Sequence, residues 1–408
     1  MCKPFGIRVS GPLEPFVAGF LDALARQGYS PWSATSYLVV MRHLSRWLGD
    51  HGWALAELTP GRLQGFVEDQ RDRGYAKGRS LSGMVGVLAA HLRALGGMPQ
   101  VPLPVPETFI DRVLQEFATY LINERGLTHR TMHWYRNVAG LFVSSCWGAN
   151  EDVAGCDLAA LTAGRVSAFI LAESRHRSVT SIQHIAGALR ALMRFLYLQG
   201  HTPMSLTAAV PTAPGWRDTG ISRALDEQQV SRLLASCNRQ TPAGLRDFAI
   251  LTVLARLGLR SHEVASLTLD DVDWRNGEIL VVGKGNRYDR LPLPVDVGEA
   301  LSEYCRKARP RGHCRALFLQ VRAPYAVLSS ASSIGKVVER ACRRSGLPPV
   351  GAHRLRHTTA TAMRRAGAPL SEIGQILRHR WAVTTARYAK DDRDALATIA
   401  RPWPGGAA

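Results

Sequence analysis

The chain has 408 residues, 46% of them apolar, and carries 51 Lys and Arg against 33 Asp and Glu, a formal net charge of +18. That length exceeds one ordinary domain and the apolar share excludes a disordered chain, so two or three domains with their own cores are expected. No apolar run reaches membrane-spanning length. The N-terminal stretch, MCKPFGIRVSGPLEPFVAGF, lacks the apolar core and cleavage site of a secretory signal. An intracellular, cytoplasmic protein with no membrane partner follows. The seven cysteines are widely spaced and form no C-x-x-C pair, which fits reduced thiols. Cys305, His313 and Cys314 have metal-ligand chemistry, but the spacing is unlike that of zinc sites and a fourth ligand is not evident, so no metal is expected. The charge is unevenly spread. Residues 1–105 hold 11 basic against 7 acidic groups, residues 106–220 hold 10 against 9, and residues 221–408 hold 30 against 17. A basic excess concentrated in one half points to a polyanion, and nucleic acid is the commonest.

In chain order, the first half reads as helical and repeated. Leu58–Val67 (LTPGRLQGFV) and Leu161–Ile170 (LTAGRVSAFI) share the frame L-T-x-G-R, an aliphatic, two variable residues, then Phe and an aliphatic. Upstream, RQGYSPWSATSY faces ERGLTHRTMHWY; each has a Gly to close one helix and a Ser or Thr to cap the next. Downstream, the helix from Ser181 places Ile182, Ile185, Ala186, Leu189, Leu192, Met193 and Leu196 at helical spacing. Two four-helix units are predicted, within residues 1–100 and 107–207, joined by the proline-rich GMPQVPLPVPETF. A linker is predicted at 208–224, around AAVPTAPGWRDTG. A third domain is predicted over 225–390, with a tail at 391–408. It opens with an Asp226–Gln229 capping box and continues into a buried helix from Leu245 that stops at Gly258. Ile279–Val282 and Tyr288–Leu293 then read as a hairpin around Gly283–Asn286, and the chain returns to helix with breaks at proline.

The candidate chemistry lies in this third domain. Residues 351–388 gather His353, Arg356, His379 and Tyr388. His353 and Arg356 are three apart and share a helical face. A guanidinium fork matches the oxygens of a phosphodiester and stays protonated, so Arg260 and Arg356 can stabilise charge that other nucleases assign to metal ions. Glu263, three residues after Arg260, can orient it. A tyrosine nucleophile must lose its phenol proton, with a histidine assisting, and a departing alkoxide needs an acid, for which Lys284 at the hairpin tip is placed.

In this order the set resembles the tyrosine recombinases, the phage integrase family. The matching residues are G-L-R-x-x-E (Gly258–Glu263), Lys284, H-x-L-R-H (His353–His357), L-x-H (Leu377–His379) and Tyr388. The resemblance implies a mainly α fold with a small antiparallel β-sheet in the C-terminal catalytic domain, and SAM-like core-binding helical units before it. It implies that Arg260 and Arg356 bind the scissile phosphate and that Lys284 is the general acid. His353 would assist proton transfer, His379 would hydrogen-bond the phosphate, and Tyr388 would form a 3′-phosphotyrosine, with Glu263 supporting Arg260. No cofactor is implied. The implied partners are double-stranded DNA and either further copies in a tetramer on two sites or sister recombinases, at the nucleoid. The tail would dock on a neighbouring subunit. Arg190, Arg194, Arg287, Arg354 and Arg378 are candidate DNA contacts. Arg354 stands where the family often has an acid, Arg378 where it usually has Gly, and the N-terminal unit is additional. An integrase or transposase of a mobile element is the expected role. The alternatives are a chromosome-dimer resolvase, a catalytically silent DNA-binding accessory protein, or a relaxing enzyme like the type IB topoisomerases.

Overall fold

The computed structural model describes residues 6–74, 81–99, 108–147, 157–212, 224–283, 287–312 and 314–378. The chain divides into two compact units, Val101–Thr219 and, together, Met1–Gln100 with Gly220–Ala408. Among the described residues no helix is long and apolar enough to cross a membrane.

Within Val101–Thr219 four helices form one core: α5 (Phe109–Asn123), α6 (His129–Trp147), α7 (Ala163–Ser174) and α8 (Val179–Leu198). Met1–Gln100 has the corresponding α1 (Val17–Arg26), α2 (Pro31–Asp50), α3 (Pro60–Asp72) and α4 (Leu81–Ala94). The repeated L-T-x-G-R frame has a local cause. Thr59 Oγ1 accepts the Arg62 N–H at the start of α3, and Thr162 Oγ1 accepts the Arg165 N–H at the start of α7. Each threonine satisfies a donor that the first helical turn leaves open. The seven predicted apolar positions of α8 are all buried, against Phe117, Leu121 and Phe142. The N-terminal helices close around Phe20, Leu38, Met41, Leu48 and Phe66.

Gly220–Ala408 builds a separate core. It begins with α9 (Glu227–Ala235), whose Asp226–Gln229 capping box forms in both directions. Next come α10 (Pro242–Leu257) and α11 (Ser261–Ser266). Ile250, Leu251, Val253 and Leu254 of α10 are fully buried, so this helix is the central post of the domain. Three antiparallel strands follow in the order β1 (Val272–Asp273), β2 (Glu278–Gly283) and β3 (Arg287–Pro292). Val272 pairs with Ile279, Ile279 with Leu291, and Gly283 with Arg287. The alternation buries Ile279, Val281 and Leu291 on one face. The two-residue β1 was not among the predicted elements. Helices α12 (Val295–Lys307), α13 (Ala331–Ser345), α14 (Ala352–Arg365) and α15 (Leu370–Ile376) complete the domain.

Between α12 and α13 the chain is not the interrupted helix that the sequence suggests. It is an irregular loop held by a side chain: the Arg309 guanidinium donates to the carbonyls of Ala316 (2.7 Å) and Leu317 (3.2 Å). Bridges pair Thr268 with Ala316 and Leu319 with Val327. Within the same unit, Tyr325 of this loop donates its hydroxyl to the Gly28 carbonyl at 3.4 Å.

Candidate active site

The site is built around the end of α10. Gly258 closes that helix with φ +58°, and a Cβ there would stand 2.8 Å from Leu377 Cδ2. The left-handed backbone favours glycine, and a Cβ would also press on the tip of the buried Leu377 side chain, which would have to shift. The turn delivers Arg260 as the residue that precedes α11, with Glu263 one turn inside it. Glu263 Oε2 accepts the Arg260 N–H at 2.7 Å, and Oε1 accepts from Arg260 Nη1 at 2.7 Å. Glu263 is fully buried, whereas the Arg260 side chain is 31% exposed. One face of the arginine is therefore fixed while the other reaches solvent.

Arg356 sits on α14 and is 1% exposed. Its Nη1 donates to the Gly258 carbonyl at 2.7 Å, and its Nη2 donates to the Leu377 carbonyl. The same guanidinium thus ties the α10 end to the residue two before His379. Charged donors on carbonyls make strong hydrogen bonds and cover the desolvation of a buried cation. His353, one turn before Arg356, is exposed, and its ring meets His357 edge-on at 4.6 Å between centroids. Thr359 adds a bond from α14 to the Ala255 carbonyl at 2.8 Å, which fixes α14 against α10.

Arg378 was expected at a DNA-facing position, and here its side chain is only 6% exposed. Its Nη2 donates to Glu263 Oε2 at 2.6 Å, and its Nε lies 3.8 Å from Asp289 Oδ2 on β3. Its backbone has φ +56°, a left-handed conformation that a non-glycine residue holds at a cost of about 1–2 kcal/mol. Burial works to raise the Glu263 carboxyl, but the charge of Arg378 and the hydrogen bonds and charge of Arg260 outweigh it and hold the group below the ordinary glutamate range. Burial lowers the Arg378 guanidinium, against the attraction of Glu263. His262 is held below its ordinary value first by partial desolvation; Glu263 opposes this, and Arg260, Arg356 and Arg378 add to it. Three arginines therefore act on one small region.

Of the other predicted residues, Arg287 is exposed at the start of β3 and Arg354 is half-buried on α14. Arg194 is exposed on α8. Arg190 is committed to its own domain, since its Nη2 donates to the carbonyls of Val210 (3.2 Å) and Pro211 (3.1 Å). Lys284, His379, Tyr388 and the tail lie outside the described residues. Sequence reasoning named Leu377 only as part of the L-x-H motif, not as the residue whose carbonyl holds Arg356, and it did not single out Asp289, which faces Arg378. For Asp289 the only available signal was a lone acid among basic residues in RYDRLP.

The fold of this chain is similar to that of a lambda integrase in a dimer bound to a COC′ core site. That match has a TM-score of 0.53 at 17% identity and covers 72% of this chain and 98% of the other. A XerH site-specific recombinase bound to palindromic difH gives 0.53 at 19% identity, with 74% and 98% covered. At the level of sequence, the family model of the phage integrase family matches residues 223–394. The chain is 36% identical over 400 residues to a Sinorhizobium fredii protein carrying the name integrase/recombinase y4rA, covering 97% of this chain and 96% of that one. It is 30% identical over 286 residues to the tyrosine recombinase XerD of Listeria monocytogenes, covering 68% and 93%. The chain belongs to the phage integrase family, and its enzyme class is that of the tyrosine-type site-specific recombinases.

Proposed function

We propose that this chain recombines double-stranded DNA at specific sites by cleaving and rejoining strands through a 3′-phosphotyrosine. The observation that supports it most is the Arg260–Glu263 pair and Arg356 brought to one point by the Gly258 and Leu377 backbone. Arg260 and Arg356 bind the scissile phosphate and offset the charge that builds on its oxygens, so the step needs no metal and no cofactor. The Tyr388 oxygen attacks phosphorus and loses its proton with His353 assisting. The bond to the 5′ oxygen breaks and Lys284 protonates the leaving group. His379 hydrogen-bonds the phosphate. Rejoining runs the same steps backwards with a new 5′ hydroxyl, and the phosphotyrosine keeps the bond energy meanwhile.

The domains serve this as residues 107–207 for core DNA binding, 208–224 as linker, 225–390 for catalysis and 391–408 for docking on a neighbour. Four copies, or copies with sister recombinases, act on two DNA sites in the cytoplasm, at the nucleoid. The role of integrase or transposase of a mobile element is supported by coverage. The similarity to y4rA runs through the additional N-terminal unit, whereas that to XerD reaches only 68% of this chain.

The test is incubation of the full chain with a library of nicked genomic fragments in chelator, followed by denaturing separation and sequencing of trapped DNA. A covalent adduct at a recurrent sequence is expected from the wild type and none from Tyr388→Phe. Adduct formation that survives Tyr388→Phe would refute the mechanism. Specific binding with no adduct on any site would mark an accessory protein instead.

A further inference from the structure

Arg378 occupies a left-handed position, φ +56°, that glycine would hold without strain. Its side chain runs inward and is 6% exposed, so solvent does not solvate its charge. Its partner Glu263 was already satisfied twice, by the main-chain N–H and the Nη1 of Arg260. The third bond, from Arg378 Nη2 at 2.6 Å, changes the electrical balance of the pair. Arg260 with Glu263 alone is neutral; Arg378 adds a positive charge, which Asp289, 41% exposed and 3.8 Å from Arg378 Nε, offsets only in part because water screens it. The Nε and Nη2 of Arg260 have no hydrogen-bond partner among the described residues. The donors left over thus belong to the arginine that reaches solvent.

We propose that Arg378 is a positioning residue for DNA cleavage. Held by Glu263, it locks the carboxylate that aims Arg260 and leaves Arg260 with an uncompensated positive charge toward the phosphate. This rests on the recombinase reading above. The groups facing Glu263 are Arg260 before α11, His262 beside it and Arg378 after α15, with Arg356 of α14 acting on His262 and Asp289 of β3 on the far side of Arg378. Arg378 is thus one of the cations that keep the carboxyl ionised, and its loss allows Glu263 to protonate at higher pH.

The experiment compares wild type, Arg378→Gly and Arg378→Lys in single-turnover cleavage of a nicked site across pH. Circular dichroism confirms that each variant is folded. Arg378→Gly, which relieves the backbone, is expected to cleave roughly 10- to 100-fold more slowly with half-saturating DNA within about threefold. Its acid limb is expected to move to higher pH. Arg378→Lys restores part of the rate and returns the limb toward wild type. Cleavage by Arg378→Gly within about threefold of wild type, with an unmoved limb, would overturn the proposal. So would a rate loss with an unmoved limb that lysine does not rescue. A second measurement needs no DNA: the Glu263 carboxyl titration in the full chain by 13C NMR, assigned through Glu263→Gln. Its midpoint should rise in Arg378→Gly, and an unchanged midpoint overturns the proposal. If the wild type forms no adduct, the recombinase reading falls, and this titration still decides whether Arg378 holds Glu263.

Discussion

Replacing Glu263 by Gln removes one charge and almost no volume, so it isolates electrostatics from packing. Glu263 is fully buried and accepts from Arg260 N (2.7 Å), Arg260 Nη1 (2.7 Å) and Arg378 Nη2 (2.6 Å). An amide has a single acceptor oxygen. Turned toward the Oε2 position it keeps two of these bonds and points its own NH2 at Arg260 Nη1; turned the other way it keeps one and opposes two donors. Either way Arg378 keeps its charge in a dry site. Removing one partner of a buried ion pair costs about 3–5 kcal/mol. Arg260 is nearly a third exposed and recovers part of this from water. A loss of about 3 kcal/mol at pH 7 is therefore expected.

The pH dependence gives the sign. The folded carboxyl sits below its ordinary 4.5, so the unfolded chain binds the proton more readily. The stabilisation is complete above 4.5 and is lost as pH falls through the lower folded value. The deficit of Glu263→Gln should thus be full at pH 7 and shrink as the medium is acidified past 4.5. Hydrogen exchange of peptides covering α10 reads the local opening free energy without requiring the whole chain to unfold at once. A deficit below about 0.5 kcal/mol at pH 7 would refute the argument. So would a deficit that stays constant into acid. In a cycle with Arg378→Gly, a coupling of about 1–3 kcal/mol is expected, because the two residues touch.

Gly258→Ala meets both a φ of +58° and Leu377 Cδ2 at 2.8 Å. It should lower stability by about 1–3 kcal/mol, seen as a lower melting temperature, and reduce adduct formation further, since the Leu377 carbonyl accepts from Arg356. Leu189→Ala empties a fully buried place in α8. Peptides within Val101–Thr219 should lose about 2–5 kcal/mol of exchange protection, while those from Gly220 onward keep theirs. Thr59→Ala and Thr162→Ala remove equivalent caps, and each should cost about 1 kcal/mol in the unit that holds it, measured by thermal unfolding.

The legible parts were those in which cause and effect lie within one or two turns. The Ser30 and Thr128 caps, the Asp226 box, the buried period of α8, the stop at Gly258 and the Arg260–Glu263 pair each involve residues no more than four apart, or one unbroken period. The β2–β3 hairpin was legible because two apolar runs flank a Gly-rich turn. Strand β1 was not, because two residues are too few to display alternation. The loop after α12 read as broken helix because its organiser is the guanidinium of Arg309, and a side chain bonding to distant carbonyls leaves no periodicity. The ion pair of Glu263 with Arg378 spans 115 positions. Sequence marked Arg378 only as an odd residue where glycine is usual and placed it among the candidate DNA contacts. Its direction was decided by a buried carboxylate whose first bonds were local.

That direction matters for how the site can treat a phosphate. Among the described residues, Arg260, Arg356 and Arg378 set three positive charges against the single buried carboxylate of Glu263, a formal balance of +2. Asp289 is 41% exposed, so water screens it. A phosphodiester brings one negative charge and lowers the balance to +1. In the displacement proposed above, further charge would build on the phosphorus-bound oxygens, and the site would approach neutrality as that happens. With glycine at 378 the balance would start at +1 and be neutral with the diester already bound, leaving the later charge unmatched. An interaction that is stronger in the transition state than in the bound ground state changes the rate, not the affinity. This is why Arg378→Gly is expected to slow cleavage while leaving DNA binding nearly as it was. A variant that instead lost affinity at an unchanged rate would place Arg378 among ordinary phosphate contacts, where its sequence position alone would have put it.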